Sequence, residues 1–230
     1  NTAPLGGGLY NNSSSSLTLT NNTIAGNYAD TGGGIYNVES TPVISNTVVW
    51  ANDGSTYANI YNDTESDALY RYCDVEGSGG SSLWDSAYGT DGGGNMDLDP
   101  LLVTCPAPGP DGTWGTDDDI AGDLHLQAGS PAADAGNNVF LPADISDLDG
   151  NGNTTEPVPI DLDGDHRIEY GTADMGAYER QNPDHPPVAV NDFAVINENS
   201  VDNMLDVLHN DTDRDTDDTL TVKRVMQTLH

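Results

Sequence analysis

The apolar positions of this chain fall in short runs, each closed by Gly, Asn or Ser. Gly6-Gly7-Gly8-Leu9-Tyr10-Asn11 returns as Gly32-Gly33-Gly34-Ile35-Tyr36-Asn37, and in worn form as Ala58-Asn59-Ile60-Tyr61-Asn62. The three asparagines stand 26 and then 25 residues apart. Self-similarity at a fixed period of this size predicts a solenoid, in which one supersecondary unit stacks on its neighbours. Between the copies lie Leu17-Thr18-Leu19-Thr20, Thr23-Ile24, Pro42-Val43-Ile44 and Thr47-Val48-Val49-Trp50. These runs are rich in β-branched residues, which suit strands. No window sustains a helical period. A period near 25 leaves room for about three short strands and their turns. The fold class predicted is all-β, with each period one coil of a parallel β-helix.

Strand side chains alternate, so Leu9, Ile35 and Ile60 are expected inside, one above another, with Tyr10, Tyr36 and Tyr61 outside. Asn11, Asn37 and Asn62 are expected to form a ladder, because Asn tolerates tight turns and its amide can bond the copy above. Leu69 and Val75 are expected to continue the positions of Val43 and Val48. The coils run to about residue 76. Gly77 to Asn95 is Gly/Ser-rich and reads as a long loop off the stack. Met96 to Val103 reads as a strand returning to it. An acidic excursion follows over 109–119, then a strand at Asp123–Gln127 and a small-residue turn at Ser130–Gly136. Two Asp-rich loops occupy 144–169, and Asp174–Glu179 reads as the last strand of a first domain, residues 1–180. Residues 181–187 carry three prolines and form an extended linker. Val188–Ile196, Met204–Leu208 and Thr219–Val222 alternate as strands. Residues 188–230 therefore read as the start of a β-sandwich module that the chain does not complete. The chain is read as a fragment of a longer protein, so the lack of a signal peptide carries no information about export.

Composition sharpens this. Hydrophobic residues make up 35%, low for a globular core but enough for the thin interior of a β-helix. With 38 acidic against 6 basic residues the net charge is −32. Such a chain repels phosphate backbones, which excludes nucleic acid as a partner, and it gathers cations. No apolar run is long enough to span a membrane. Cys73 and Cys105 lack metal-ligand or redox spacing; a disulfide between them and two separate thiols both remain open.

The aspartates are spaced for a hard cation. Calcium takes six to eight oxygens, and a short loop with oxygen side chains at alternate positions and a Gly to turn on can wrap one ion. Asp147, Asp149, Asn151 and Asn153 supply that pattern. So do Asp161, Asp163 and Asp165, with the Arg167 carbonyl and Glu169 next in line. Asp111, Asp117 and Asp119, beside Asp118, form a third candidate. Asp211 and Asp213, with Asp215, Asp217, Asp218 and Glu198 nearby, form a fourth. No loop has the twelfth-position Glu of an EF-hand. Solvated acidic turns are the plainer reading, since Asp and Gly form turns readily. Mutual repulsion among packed carboxylates favours an ion. Zinc is disfavoured by scattered histidines and distant cysteines.

A glycan lyase or hydrolase is the alternative to a structural role. A lyase needs a base, yet the coils hold one basic residue, Arg71, and no histidine. A hydrolase needs two facing carboxylates. Asp74 and Glu76 are the nearest pair, and two carboxylates on one strand read more simply as a solvated edge. The outward tyrosines either stack on sugars or cover the sheet. The expectation is a protein without enzymatic activity in these residues, with polysaccharide binding or degradation by residues outside them as the alternative.

Asp99-Pro100-Leu101-Leu102-Val103, Leu124-His125-Leu126-Gln127-Ala128-Gly129-Ser130-Pro131-Ala132-Ala133-Asp134-Ala135-Gly136, and Asp161-Leu162-Asp163-Gly164 through Asp174-Met175-Gly176-Ala177-Tyr178-Glu179 resemble the choice-of-anchor Q domain of bacterial surface proteins. With the coils, this run is similar to the C-terminal end of a right-handed parallel β-helix. Pro186-Pro187-Val188-Ala189-Val190-Asn191-Asp192 through Asn210-Asp211-Thr212-Asp213 to Thr219-Leu220-Thr221-Val222 resembles the cadherin-like or bacterial Ig-like modules of large adhesins. These resemblances imply an extracellular or cell-surface location, adhesion to a surface glycan or protein receptor, calcium at the Asn-Asp-x-Asp run, and no particular reaction.

Overall fold

A computed structural model of the protein describes residues 1–13, 15, 17–169, 171–181, 188–193, 206–212 and 221–222. The chain divides into two compact units, Asn1–Arg180 and Gln181–His230.

The first unit begins as a parallel β-solenoid. Its first sheet holds Thr2–Leu5, Tyr28–Thr31 and Asp53–Thr56; its second holds Leu9–Asn11, Ile35–Asn37 and Ile60–Asn62. The third holds Thr18–Thr20, Val43–Ser45, Leu69–Arg71 and Thr90–Asp91; the fourth holds Thr23–Ala25, Val48–Trp50 and Asp74–Val75. A coil thus has four strands where three were expected. The unforeseen strand, Tyr28–Thr31 and its copies, offers little apolar signal, with Ala29 its one fully buried side chain.

Leu9, Ile35 and Ile60 align in register, as do the three tyrosines and the three asparagines. Ile35, Ile44, Val49, Ile60, Tyr70 and Val75 fill the interior column. Leu69 pairs with Val43, as expected, but Val75 pairs with Val49, and Asp74 takes the place opposite Val48. Asn11 Nδ2 donates to Asn37 Oδ1 at 2.8 Å, and Asn37 Nδ2 to Asn62 Oδ1 at 2.8 Å. A second ladder, unforeseen, links Asn1 to Asn27 at 3.0 Å and Asn27 to Asn52 at 2.9 Å. The glycine triplet is needed for close stacking: a Cβ on Gly33 would overlap the Asp53 carbonyl oxygen, and one on Gly34 would lie 2.5 Å from the Asn59 carbonyl oxygen.

The stretch after residue 76 corrects the expected loop. Gly80–Leu83 forms a helical turn, Ser86–Tyr88 a 3-10 turn, and Thr90–Asp91 adds a strand to the third sheet beside Leu69–Arg71. The cause is two aromatics within the Gly/Ser-rich run. Trp84 and Tyr88 pack on the end of the apolar column, and Trp84 Nε1 donates to the Gly89 carbonyl at 2.9 Å.

The chain then runs along the outside of the solenoid. Of the expected 96–103 strand, Met96 alone pairs with the stack as a β-bridge, to Asp74, while the Leu98 N–H donates to the Asp74 carboxylate at 3.1 Å; Leu102–Thr104 pairs antiparallel with Asp123–Leu126 instead. Val48, Leu102, Leu126, Ala132 and Met175 make a second core between this flank and the fourth sheet. Asn46 fastens it, accepting from the Asn137 N–H at 2.8 Å through its side chain and from the Gly176 N–H at 2.9 Å through its carbonyl. Asp174–Glu179 is not a strand but a run of bends. Side chains capture several of its N–H groups, as described below. Cys73 and Cys105 are free thiols; burial pushes the Cys73 thiol up to about 12.

In the second unit, Val188 and Thr212 exchange backbone bonds of 2.8 and 3.1 Å. Linker residues 182–187, residues 194–196, 204–205 and 219–220 of the expected strands, Glu198, Asp213, Asp215, Asp217 and Asp218 lie outside the described residues, and among the described residues of the expected strand 188–196 only Val188 pairs. Residues 206–208 of the expected strand 204–208 form a bend and coil, not a strand. No helix among the described residues is long and apolar enough to cross a membrane.

Candidate metal centre

The loop at 147–153 is closed at its neck by an antiparallel bridge between Ala143 and Pro157. The Asp144 N–H donates to the Glu156 carbonyl at 2.8 Å, and the Val158 N–H to the Pro142 carbonyl at 2.9 Å. This sets residues 144 and 156 opposite each other. Asp144, Asp149 and Glu156 each place a carboxylate oxygen within 4.8 Å of the other two, the one such group of three among the described residues. Like charges about 4 Å apart repel by about 1 kcal/mol in water and about 4 kcal/mol in a protein-like dielectric.

Asp144 is buried, at 1% exposure. Its Oδ2 accepts from the Leu148 N–H at 2.8 Å, while its Oδ1 is enclosed with no hydrogen-bond partner. Asn151 Nδ2 donates to Asp149 Oδ2 at 2.8 Å and Glu156 Oε1 at 2.7 Å. Asn153 Nδ2 reaches Glu156 Oε2 at 3.1 Å. Of the expected set, Asp149 enters the cluster with an oxygen, whereas Asn151 and Asn153 present donors. Asp147 accepts from the Gly152 N–H at 2.9 Å and shapes the turn. Asp144 and Glu156 were not foreseen. The signal for them lay outside the loop pattern, in the small and proline residues flanking it.

The second loop is built differently. Asp161 Oδ1 accepts from the N–H groups of Asp163 and Asp165 at 2.9 and 3.0 Å, and its Oδ2 from the Glu179 N–H at 2.8 Å. Asp163 turns away to His125, whose Nε2 lies 2.7 Å from it and whose Nδ1 lies 2.5 Å from Asp123. These two bonds, Asp123 first, hold the His125 imidazolium, raising its pKa. Arg167 sends its side chain inward, donating to the carbonyls of Gly176 and Ala177 at 3.2 and 2.6 Å and standing 4.0 Å from Glu179 Oε2. Glu179 accepts from the N–H groups of Glu169 at 3.1 Å and Asp174 at 2.9 Å. Asp174 accepts from those of Asp134 and Arg180, each at 2.6 Å. Burial, with Asp174 adding to it, pushes Glu179 up to about 8. Burial likewise pushes Asp174 up to about 6. Desolvation therefore outweighs the attraction of Arg167, whose own pKa burial draws down. Sequence reasoning missed this network; a lone Arg in an acidic stretch was the available hint.

In the third candidate, Asp118 and Asp119 fold the loop upon itself, accepting from the N–H groups of Asp111 at 3.2 Å and Gly115 at 2.7 Å. Asp111 caps Thr113 at 2.7 Å, Asp117 is exposed, and Trp114 Nε1 pins the loop to Asp53 at 3.1 Å. In the fourth, Asp211 accepts from the Val190 N–H at 2.7 Å.

The expected solvated edge at Asp74 and Glu76 is corrected. Asp74 is fully buried, and burial, then Asp97, Asp99 and Glu76, pushes it up to about 7. Glu76 accepts from the Ala51 N–H at 2.8 Å, bonding to the coil below. The tyrosines stack on one another, Tyr10 on Tyr36 at 5.3 Å and Tyr36 on Tyr61 at 4.7 Å, with Tyr57 edge-on to Tyr61 at 5.1 Å. The stacked rings cover one another's faces, while Tyr10 and Tyr57 remain exposed.

Fold and site together define a parallel β-solenoid with an acidic, irregular flank. Compared with known proteins, the chain matches no family model, no curated protein and no solved structure.

Proposed function

We propose that this chain is a non-enzymatic structural segment of an extracellular or cell-surface protein, that it serves adhesion, and that calcium stabilises it. The observation that carries this reading is where the repeated side chains go, Asn11 and Asn37 buried and the tyrosines facing out. The asparagine and tyrosine ladders are occupied by their own copies in the next coil. Such ladders hold a rod together. A sugar platform needs free ring faces, and the stacked tyrosines cover one another's. The resemblance to choice-of-anchor Q and cadherin-like segments supports placement on a bacterial surface, with a glycan or protein receptor as partner. The right-handed sense of the helix and the sandwich nature of the second unit belong to the same proposal.

Calcium follows from charge. A chain at −32 carries carboxylates that repel one another, and a cation bound only by the folded state adds RT ln(1 + [L]/Kd), about 2.7 kcal/mol at a hundredfold excess over Kd. The test is a thermal melt at fixed ionic strength with calcium, with magnesium and with a chelator. The expected result is a higher midpoint with calcium that magnesium does not reproduce. Identical midpoints would remove calcium from the proposal and leave a rod held by its ladders.

A further inference from the structure

We propose that Asp144, Asp149 and Glu156 form one calcium site, at the neck of the 147–153 loop, with Asp144 as its buried anchor. This rests on the calcium reading above and fixes it to one place, with two ligands that lie outside the alternating Asp/Asn pattern.

Two independent observations meet there. Three carboxylates converge to within 4.8 Å. One of them, Asp144, is buried and holds an enclosed oxygen with no hydrogen-bond partner. A buried acceptor without a donor is costly, and native interiors rarely leave one so. A cation beside it would satisfy that oxygen and quench the repulsion at once.

The surroundings suit an ion arriving from solvent. Asp149 is exposed and Glu156 half-exposed, so the mouth of the cluster is open while its base is closed by Asp144. The Asn151 amide N–H2 group stands between Asp149 and Glu156, a partial positive charge between two carboxylates. An ion entering the cluster takes over that role, and the amide moves aside. All the donors are oxygens, which selects a hard cation over zinc. The set is irregular, drawn from a bridge neck and a loop tip. Calcium accepts irregular shells, whereas magnesium demands near-ideal octahedra and holds its water.

The experiment is calcium titration of the full chain by equilibrium dialysis and calorimetry, with calcium chloride as the probe and circular dichroism as the check on folding. Glu156→Gln and Asp144→Asn are compared with the unaltered protein, and Asp163→Asn serves as a control in the other loop. The expected result is that both cluster variants lose one bound calcium, or bind it at least about tenfold more weakly, while Asp163→Asn retains it. If the unaltered protein binds calcium and Glu156→Gln binds it equally well, this site is overturned and the calcium reading survives elsewhere. If the unaltered protein binds none, both fall. Should Asp144→Asn fail to fold, Glu156→Gln, on a half-exposed side chain, decides alone.

Discussion

Two stretches of the same unit, the coils of residues 2–75 and the flank of residues 97–180, satisfy their polar groups in opposite ways. In the coils a side chain meets its own copy one period away: Asn37 bonds Asn11 and Asn62, and Tyr36 stacks on Tyr10 and Tyr61. In the flank, carboxylates meet the backbone of unrelated residues. Asp97 accepts from the N–H groups of Gly77 and Gly79, Asp161 from that of Glu179, and Asp174 from those of Asp134 and Arg180. The coil ladders are stabilised by repetition, which needs no net charge; Asp74, fully buried in the fourth sheet and raised to about 7, is the exception. The flank holds Asp174 and Glu179, whose raised pKa values tie its stability to pH.

The largest effect is expected from a coil glycine. Gly33→Ala places a methyl against the Asp53 carbonyl, where stacked backbone cannot yield. It should cost about 3–5 kcal/mol in chemical denaturation, from overpacking. The flank counterpart, Gly150→Ala, meets open space and suffers only its left-handed backbone, φ +72°, so about 1 kcal/mol is expected. Equal costs would erase the distinction between packed coil and open loop.

Next comes Arg167→Met. It strips the cation from Glu179 and leaves the Gly176 and Ala177 carbonyls without their donor. About 3 kcal/mol should be lost at pH 8.5, where Glu179 is largely ionised, and less at pH 5.5, where it is protonated. Denaturation at the two pH values checks this. A loss independent of pH would show that Arg167 acts only through its carbonyl partners.

The unaltered protein in chelator should itself lose several kcal/mol of stability between pH 5 and pH 8.5. The folded pKa values of Asp74, Asp174 and Glu179 are raised to about 7, 6 and 8. Between the ordinary carboxylate range and those values the folded state holds protons that the unfolded state has released. Stability therefore falls as pH rises through the window. His125, raised as well, acts in the same direction near neutrality. Thermal melts across pH read the slope; a rise toward pH 8.5 would contradict it.

Smallest is Tyr36→Ala, which breaks two ring stacks on the outside of the second sheet. About 1–2 kcal/mol should be lost, with Tyr36→Phe near neutral because the stacking faces remain. A glycan array run with the same variants sharpens the point: binding abolished by Tyr36→Ala would mean the tyrosines recognise sugar after all.

The coils were legible because their signal is written three times over. The Leu/Ile-Tyr-Asn copies predicted inside, outside and ladder correctly, since each contact partner is the same residue one period on. The fourth strand was not legible, because Tyr28–Thr31 carries little apolar signal. Neither was the cover at residues 80–91, where Trp84 and Tyr88 outweigh the Gly/Ser composition around them. In the flank, the alternating Asp and Asn of 147–153 supply only Asp149 to the carboxylate cluster. Asp144 and Glu156 meet across a neck closed by the Ala143–Pro157 bridge, and no local spacing encodes that. The same holds for Asp161, whose acceptors serve the N–H of Glu179, eighteen residues away.

The most direct test of a rod whose acidic flank takes calcium is hydrogen exchange followed by mass spectrometry, with calcium and with chelator at equal ionic strength. Exchange reads local opening segment by segment. The predicted result is that calcium slows exchange in peptides spanning 143–158 by about tenfold or more and leaves the coil peptides over 28–75 unchanged. Exchange unaltered by calcium at 143–158, or slowed equally in coils and flank, would contradict it.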